Sequence, residues 1–431
     1  MYDGVINLTL AILFFLFCFF FLLSIPISVA LGMSAIITML ISGTSSLNFF
    51  VTNLVNAMDS FPLMAVPFFM LAGELMGKGG ITDRLFGLAN SIVGHLTGGF
   101  AMATIMTCMF FASISGSSPA TVAAIGSIMI PAMIRRGYDL RFATVTVAAA
   151  GSLGVIIPPS IDMIMFSVAG NTSIGDLFLA GILPGIFIGC CLMVWAYIYS
   201  KRAGYKGSGD KPSIKKILKE INNSKWALTI PIIILGGIYS GIFTPTEAAS
   251  ISVFVGLFIG LFIYRELKIS DLPKAFLNAG MTTSLVFFIL GSATTFGKLL
   301  AIEQVPNKMA SFLIGLDNPI IIILVMNLIL LFVGAFMETV VALIILTPIL
   351  LPIAVAIGFN PVHFGIIMIV NLAIGFITPP IGVNLFVGSG ISGLSIERLA
   401  IGILPYFFIM LFSLVVIIFW PDLSMFLVNL K

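Results

Sequence analysis

Charge is what this sequence has least of. Only 9% of its 431 residues are Asp, Glu, Lys or Arg, whereas 60% are apolar and the mean hydropathy is +1.20. Values so far from those of water-soluble domains exclude a globular soluble fold and indicate a polytopic helical membrane protein. Histidine occurs twice (His95, His363), and the four cysteines (Cys18, Cys108, Cys190, Cys191) all lie in apolar runs. Neither a disulfide framework nor a metal-ligand spacing is present. No glycine-rich phosphate loop is found, so ATP-driven chemistry lacks its motif. The acids are too scattered to supply an acid and base pair, which argues against the rival reading of an intramembrane enzyme. The first apolar run, 5–23, is preceded by Asp3 and no basic residue, and so reads as a retained span rather than a cleaved signal peptide.

Apolar runs of spanning length fall near 5–23, 27–43, 61–77, 140–170, 177–200, 226–242, 245–264, 281–297, 361–391 and 400–420. Two further stretches, 98–134 and 321–354, are interrupted by Ser113-Ile-Ser-Gly-Ser-Ser-Pro-Ala-Thr121 and Gly334-Ala-Phe-Met-Glu-Thr339. Both read as re-entrant hairpins. Within 140–170 and 361–391 lie Gly151-Ser-Leu-Gly-Val-Ile-Ile-Pro-Pro-Ser160 and Gly375-Phe-Ile-Thr-Pro-Pro380. A proline pair removes backbone donors and frees carbonyls, so each segment is expected to be a broken helix.

The basic residues set the topology. Eight of them crowd into 201–225 (Lys201, Arg202, Lys206, Lys211, Lys215, Lys216, Lys219, Lys225), a linker that the positive-inside rule places in the cytoplasm. With the hairpins counted as zero crossings, only Lys298, Lys308 and Lys431 of the 20 basic residues fall outside. Both termini are then periplasmic. The segments 78–95 and 298–317, ahead of the hairpins, fit either interfacial arm helices or plain loops.

The chain also repeats itself. At an offset of 221, Pro131 falls on Pro352, Gly154 on Gly375, Pro158 and Pro159 on Pro379 and Pro380, and Gly181-Ile-Leu-Pro184 on Gly402-Ile-Leu-Pro405. Each unit has five crossings, so the second is expected to enter the membrane inverted. Inverted repeats with paired broken helices point to secondary transport, with the site where the breaks meet.

Few residues in these segments can carry chemistry. The first tip (Ser113, Ser115, Gly116, Ser117, Ser118, Pro119, Thr121) offers neutral oxygens for a weakly bound cation such as Na⁺, or hydroxyls that only satisfy backbone and packing. Glu338 and Thr339 occupy the second tip, where an acid costs roughly 2.5–3.5 kcal/mol to insert and serves substrate or ion binding, or sits in an aqueous cavity. Asp162 has no acidic counterpart in the second repeat, where Val383 and Asn384 stand, and suits either specificity or holding the broken helix. Asn371 and Asn384 are ligands or caps for the break. Glu247 reads as a helix-capping acid behind Thr244 or Thr246. His95 and His363 read as satisfied or interfacial rather than as proton carriers.

The motifs Pro67-Phe-Phe-Met-Leu-Ala-Gly-Glu74, Ser115-Gly-Ser-Ser-Pro-Ala-Thr121, Gly154-Val-Ile-Ile-Pro-Pro-Ser160, Tyr239-Ser-Gly-Ile-Phe-Thr-Pro-Thr-Glu-Ala-Ala249 and Gly375-Phe-Ile-Thr-Pro-Pro380 run along the whole chain. In that order they resemble the large membrane subunit of tripartite ATP-independent periplasmic (TRAP) transporters, the DctM-like family. The resemblance implies Na⁺-driven symport of an organic acid, commonly a dicarboxylate or sialic acid, across the bacterial inner membrane. It implies an elevator, with scaffold parts 1–97 and 226–320 and transport parts 98–200 and 321–431. The implied partners are a small four-helix membrane subunit and a periplasmic substrate-binding protein, with the lipid bilayer around them and no nucleic acid. One Na⁺ is expected at Ser115, Ser118, Gly154, Val155 and Pro158, a second at Thr339, Gly375 and Thr378, and the acid at Ser115, Ser160 and Glu338. A stand-alone sodium/carboxylate symporter is the nearest rival.

Overall fold

The computed structural model describes residues 2–43, 45–207, 209 and 213–431. Among them, regular structure is entirely helical. In chain order the helices are α1 (Tyr2–Leu22), α2 (Ile27–Ser42), α3 (Leu47–Met58), α4 (Ala65–Lys78, led by a 3-10 turn at Phe61–Met64), α5 (Ile81–Val93), α6 (Gly99–Ser115), α7 (Ser118–Arg135), α8 (Leu140–Gly151), α9 (Ile161–Gly170) and α10 (Ile174–Ala203). There follow α11 (Ile214–Tyr239), α12 (Pro245–Phe258, with a π turn to Ile263), α13 (Leu272–Ile302), α14 (Val305–Ile314), α15 (Pro319–Phe336), α16 (Thr339–Ala356), α17 (Pro361–Gly375), α18 (Val383–Ser392), α19 (Ile396–Phe419) and α20 (Asp422–Asn429). Eight helical segments among the described residues are long and apolar enough to cross a membrane. The protein is a multi-pass membrane protein.

The two interrupted apolar stretches are helical hairpins. α6 and α7 pack together around Gly116 and Ser117, and α15 and α16 around Met337 and Glu338. Gly116 sits at φ +61°, and a Cβ there would lie 2.9 Å from the Pro159 carbonyl oxygen, so only glycine fits this turn against its neighbour. Each proline pair ends a helix. α8 stops at Gly151 and passes through a 3-10 turn (Ser152–Val155) before α9 starts, and α17 stops at Gly375 ahead of α18. Pro158–Pro159 and Pro379–Pro380 are both cis. Shifted by 221, the bounds of α7 become 339–356, those of α16, and α5 (302–314 after the shift) overlaps α14.

The segments that fitted arms or loops are helices: α5 packs on α6 and α11, and α14 on α13 and α16. Glu247 closes a capping box at the start of α12, its carboxylate accepting from Thr244 N at 2.8 Å. Other expectations need correcting. The linker at 201–225 is helical at both ends, since α10 runs to Ala203 and α11 begins at Ile214. Ile214, Ile217, Leu218 and Ile221 recur at helical spacing there, a pattern that the lysines between them obscure. Lys211 and its neighbours Ser208, Asp210 and Pro212 lie outside the described residues. α3 and α20 have no counterpart among the expected elements, being too short to register as spans.

The placement of the two second half-helices organises the interior. α18 packs against α7 and α8, while α9 packs against α16 and α17. Each broken helix therefore sends its second half to the other hairpin.

Candidate functional site

The first tip closes on the first break through backbone. Gly116 O accepts from Ile161 N at 3.2 Å, and a Cβ on Gly154 would lie 2.5 Å from Ser117 O and 2.7 Å from Thr121 Oγ1. Around this contact the Ser115 and Thr121 hydroxyls bond at 2.8 Å, and Ser117 O accepts from Thr121 at 2.8 Å and from Ser115 at 3.4 Å. The result is a cluster of neutral oxygens between the C-terminal ends of α6 and α8. Such a donor set, without a His, Cys or carboxylate cluster among the described residues, suits a hard monovalent cation better than a transition metal.

Ser118, on the same tip, also reaches α18. Its hydroxyl donates to Asn384 Oδ1 on α18 at 3.0 Å, and the Asn384 amide nitrogen donates to Ala148 O at 2.9 Å and to Ser152 Oγ at 3.3 Å. Asn384 is fully buried. It joins α18 to the first tip, a role sharper than either capping or ligation. Ser160 is buried too, donating to Val155 O at 2.6 Å and accepting from Met163 N at 3.3 Å, so it holds the start of α9 and engages the Val155 carbonyl. Every residue from Gly151 to Ser160, Pro158 included, is buried.

The second tip closes on the second break at Gly334 and Gly375, where a Cβ on Gly375 would overlap the Gly334 carbonyl. Thr378 Oγ1 donates to Ile374 O at 2.7 Å, and Asn371 donates to Asn327 O at 2.9 Å and Oδ1 at 2.8 Å. The Asn371 Oδ1 atom is buried and has no partner. Unlike the first break, this one is partly open: Thr378 and Glu338 are half-buried and Pro380 is exposed.

Asp162 mirrors Asn384. It is 3% exposed, lies beside Thr339 at the start of α16 and near Glu338, and leaves Oδ2 without a partner. Thr339 is the residue 221 positions beyond Ser118. Each tip thus carries one hydroxyl beside the half-helix that follows the other break, Ser118 at Asn384 and Thr339 at Asp162. The sequence singles out these polar residues but not their pairing. His363 lies apart, its Nδ1 bonded to Ser424 Oγ at 2.6 Å between α17 and α20.

Taken together, these contacts bring four helix starts to one place. α18 meets α7 through Asn384 and Ser118, α7's tip meets α9 through Gly116 and Ile161, and α9 meets α16 through Asp162 and Thr339. Helix N-termini are electropositive and C-termini electronegative. The centre is therefore lined by four positive ends, flanked by two pairs of negative ends, α6 with α8 and α15 with α17. A cavity of about 330 Å³ reaches the first tip at Ser115 and Ser117 and is lined by α4, α7 and α13, with Glu74 and Lys78 on the α4 wall.

Residues 14–423 match the family described as the tripartite ATP-independent periplasmic transporter, DctM component. The chain is 47% identical over 418 residues, 97% of its length, to an isethionate TRAP transporter permease protein DctMQ of Oleidesulfovibrio alaskensis, of which it spans 66%. It is 42% identical to a C4-dicarboxylate TRAP transporter large permease protein of Pseudomonas aeruginosa (93% of this chain, 94% of that one). To a sialic acid TRAP transporter large permease protein of Vibrio cholerae it is 37% identical (94% and 95%). The crystal structure of the Alcanivorax borkumensis YdaH transporter shares the fold at a TM-score of 0.62 and 17% identity, covering 87% of this chain and 89% of that one.

Proposed function

The chain belongs to the DctM component family of tripartite ATP-independent periplasmic transporters, and from that premise we propose that it carries an organic acid anion across the bacterial inner membrane by symport with Na⁺. It is a transporter permease and not an enzyme. The observation that carries the proposal is the sorting of helix ends at the centre. Four N-termini favour an anion, and the paired C-termini, each with a glycine contact between tip and break, leave carbonyls for cations.

One Na⁺ binds among Ser115, Ser118, Gly154, Val155 and Pro158, the other among Thr339, Gly375 and Thr378. The acid binds between them. Its anionic group turns to the starts of α7 and α18, which bear no acid, while Glu338 accepts hydrogen bonds from the donor groups it carries. Ser115 contributes from the cavity side, and Ser160 contributes through the helix start that it holds. Inward movement of each Na⁺ gains about 2.3 kcal/mol per 100 mV, enough to drive accumulation without ATP when more than one accompanies each anion.

The repeats are inverted, so the 98–200 and 321–431 segments form one transport unit that slides as an elevator against a scaffold of 1–97 and 226–320. Both termini are periplasmic. A small four-helix membrane subunit and a periplasmic binding protein complete the system, and the acid is of the type named for the similar proteins, an isethionate, a C4-dicarboxylate or a sialic acid. In proteoliposomes with these partners, replacing both Ser115 and Ser118 by alanine is expected to raise the Na⁺ concentration for half-maximal uptake about tenfold, the loss of about one net hydrogen bond's worth of binding. An unchanged Na⁺ curve sinks this site. Equal uptake by the chain without a binding protein favours a stand-alone symporter.

A further inference from the structure

A second cavity, of about 340 Å³, lies between α3 and α13 on one side and α9 and α16 on the other. Its polar wall is Asn56, Ser60, Thr294 and Lys298, and its apolar wall includes Met165 and Ile344. Met165 follows Asp162 by one turn on α9, and Ile344 follows Thr339 by little more than one turn on α16. The cavity therefore adjoins the central site along the helices whose starts form it, on the side away from the Ser115 cavity.

Lys298 is the one ammonium group on that wall. An ionisable group on a spanning helix is expected to have a function or a partner. Among the described residues no carboxylate pairs with it. Its Nζ donates instead to Asn53 Oδ1 at 2.5 Å, and Asn53 is itself buried and fixed by donating to Phe49 O at 2.7 Å. Lys298 is exposed, as a lysine that neutralises the C-terminal carbonyls of α13 or snorkels to water also is, but its bond to a buried amide fixes the ammonium beside the cavity that it lines. The amide takes one of the three ammonium donors and neutralises no charge, so the remaining donors suit an anion.

We propose that Lys298, with Asn56, Ser60 and Thr294, forms a staging subsite for the carboxylate or sulfonate group of the transported acid, on its way to the central site. The inference rests on the reading of the chain as an organic-anion carrier. By the topology proposed above, Lys298 lies toward the periplasmic end of α13, the side from which a binding protein delivers. The ammonium supplies the charge, and the neutral groups beside it accommodate carboxylate and sulfonate alike.

The test labels the unmodified full chain in nanodiscs with an amine-acylating reagent and follows Lys298 and Lys308 by peptide mass spectrometry. The probes are succinate, isethionate and N-acetylneuraminate, with succinamide and chloride at matched ionic strength as controls, in Na⁺-free buffer. Several-fold slower acylation of Lys298 with at least one acid, without change at Lys308 or in either control, is the expected result. Protection by none of the acids, or equal protection by chloride, overturns the subsite. In reconstituted uptake, Lys298→Gln is expected to raise the apparent KM several-fold at an unchanged maximal rate, with Lys298→Arg close to the unmodified chain. Because the labelling needs no Na⁺ gradient, its failure is separable from a failure of Na⁺-driven uptake.

Discussion

Alanine at Gly375 is expected to cut Na⁺-driven uptake by roughly 5- to 150-fold, the range that corresponds to an overpacking cost of about 1–3 kcal/mol. The added carbon would overlap the Gly334 carbonyl and lie 2.6 Å from the Gly334 carbonyl carbon and 2.9 Å from its Cα. All of these are backbone atoms, so no side chain can swing aside. The tip must instead lift from the break, which separates the carbonyls proposed to hold the second Na⁺. Gly154→Ala should act alike on the first site, pushing Ser117 O and Thr121 Oγ1 away. Gly280→Ala on α13 is the control, because a Cβ there meets nothing within 4 Å. Uptake against Na⁺ concentration, at equal amounts of inserted protein, reads the effect. A Gly375→Ala curve that overlays the Gly280→Ala curve rejects the close contact as a functional feature.

Leucine at Asn384 should be nearly as damaging, for a different reason. The amide is fully buried and bonds Ser118 Oγ, Ala148 O and Ser152 Oγ. Its loss orphans buried groups at about 1–3 kcal/mol each, on both the first tip and the helix before the first break. Uptake is expected to fall at least about tenfold, with a lower thermal midpoint in detergent. Removing both partners of a buried bond is milder than removing one. The double variant Ser118→Ala/Asn384→Leu should therefore recover part of the midpoint, while uptake stays low because the tip is no longer tied to α18 and has lost a hydroxyl proposed for the first Na⁺. Recovery of uptake along with stability would show that Asn384 serves packing alone.

Both variants act on contacts that differ in how far the sequence reveals them. The hairpins and breaks are readable because a polar interruption or a proline pair inside an apolar run is incompatible with one continuous spanning helix. The 221-residue offset then places their bounds to within a few residues. Glycine at 154 and 375 is visible as a repeated position, although its reason, a backbone oxygen where a Cβ would be, needs coordinates. The pairing of Asn384 with Ser118 spans 266 residues and joins the first tip to α18, so no local pattern could report it. Asp162 stands out as an acid without a counterpart, yet its partner Thr339 is on the other hairpin. The start of α11 is hidden for a simpler reason: its lysines outweigh the helical spacing of its apolar residues. Nor can hydropathy distinguish a first break that is wholly buried from a second that is partly open.

The central claim is that helix ends sorted by polarity couple an anion to Na⁺. Its most direct test is uptake of isotopically labelled isethionate, succinate and N-acetylneuraminate into proteoliposomes holding the chain with the proposed small subunit and binding protein, without ATP. The account predicts that an inward Na⁺ gradient drives one of these acids above its external concentration, and that the accumulation collapses when Na⁺ is equalised across the membrane. Accumulation that persists without a Na⁺ gradient, or that appears only when ATP is supplied, contradicts it.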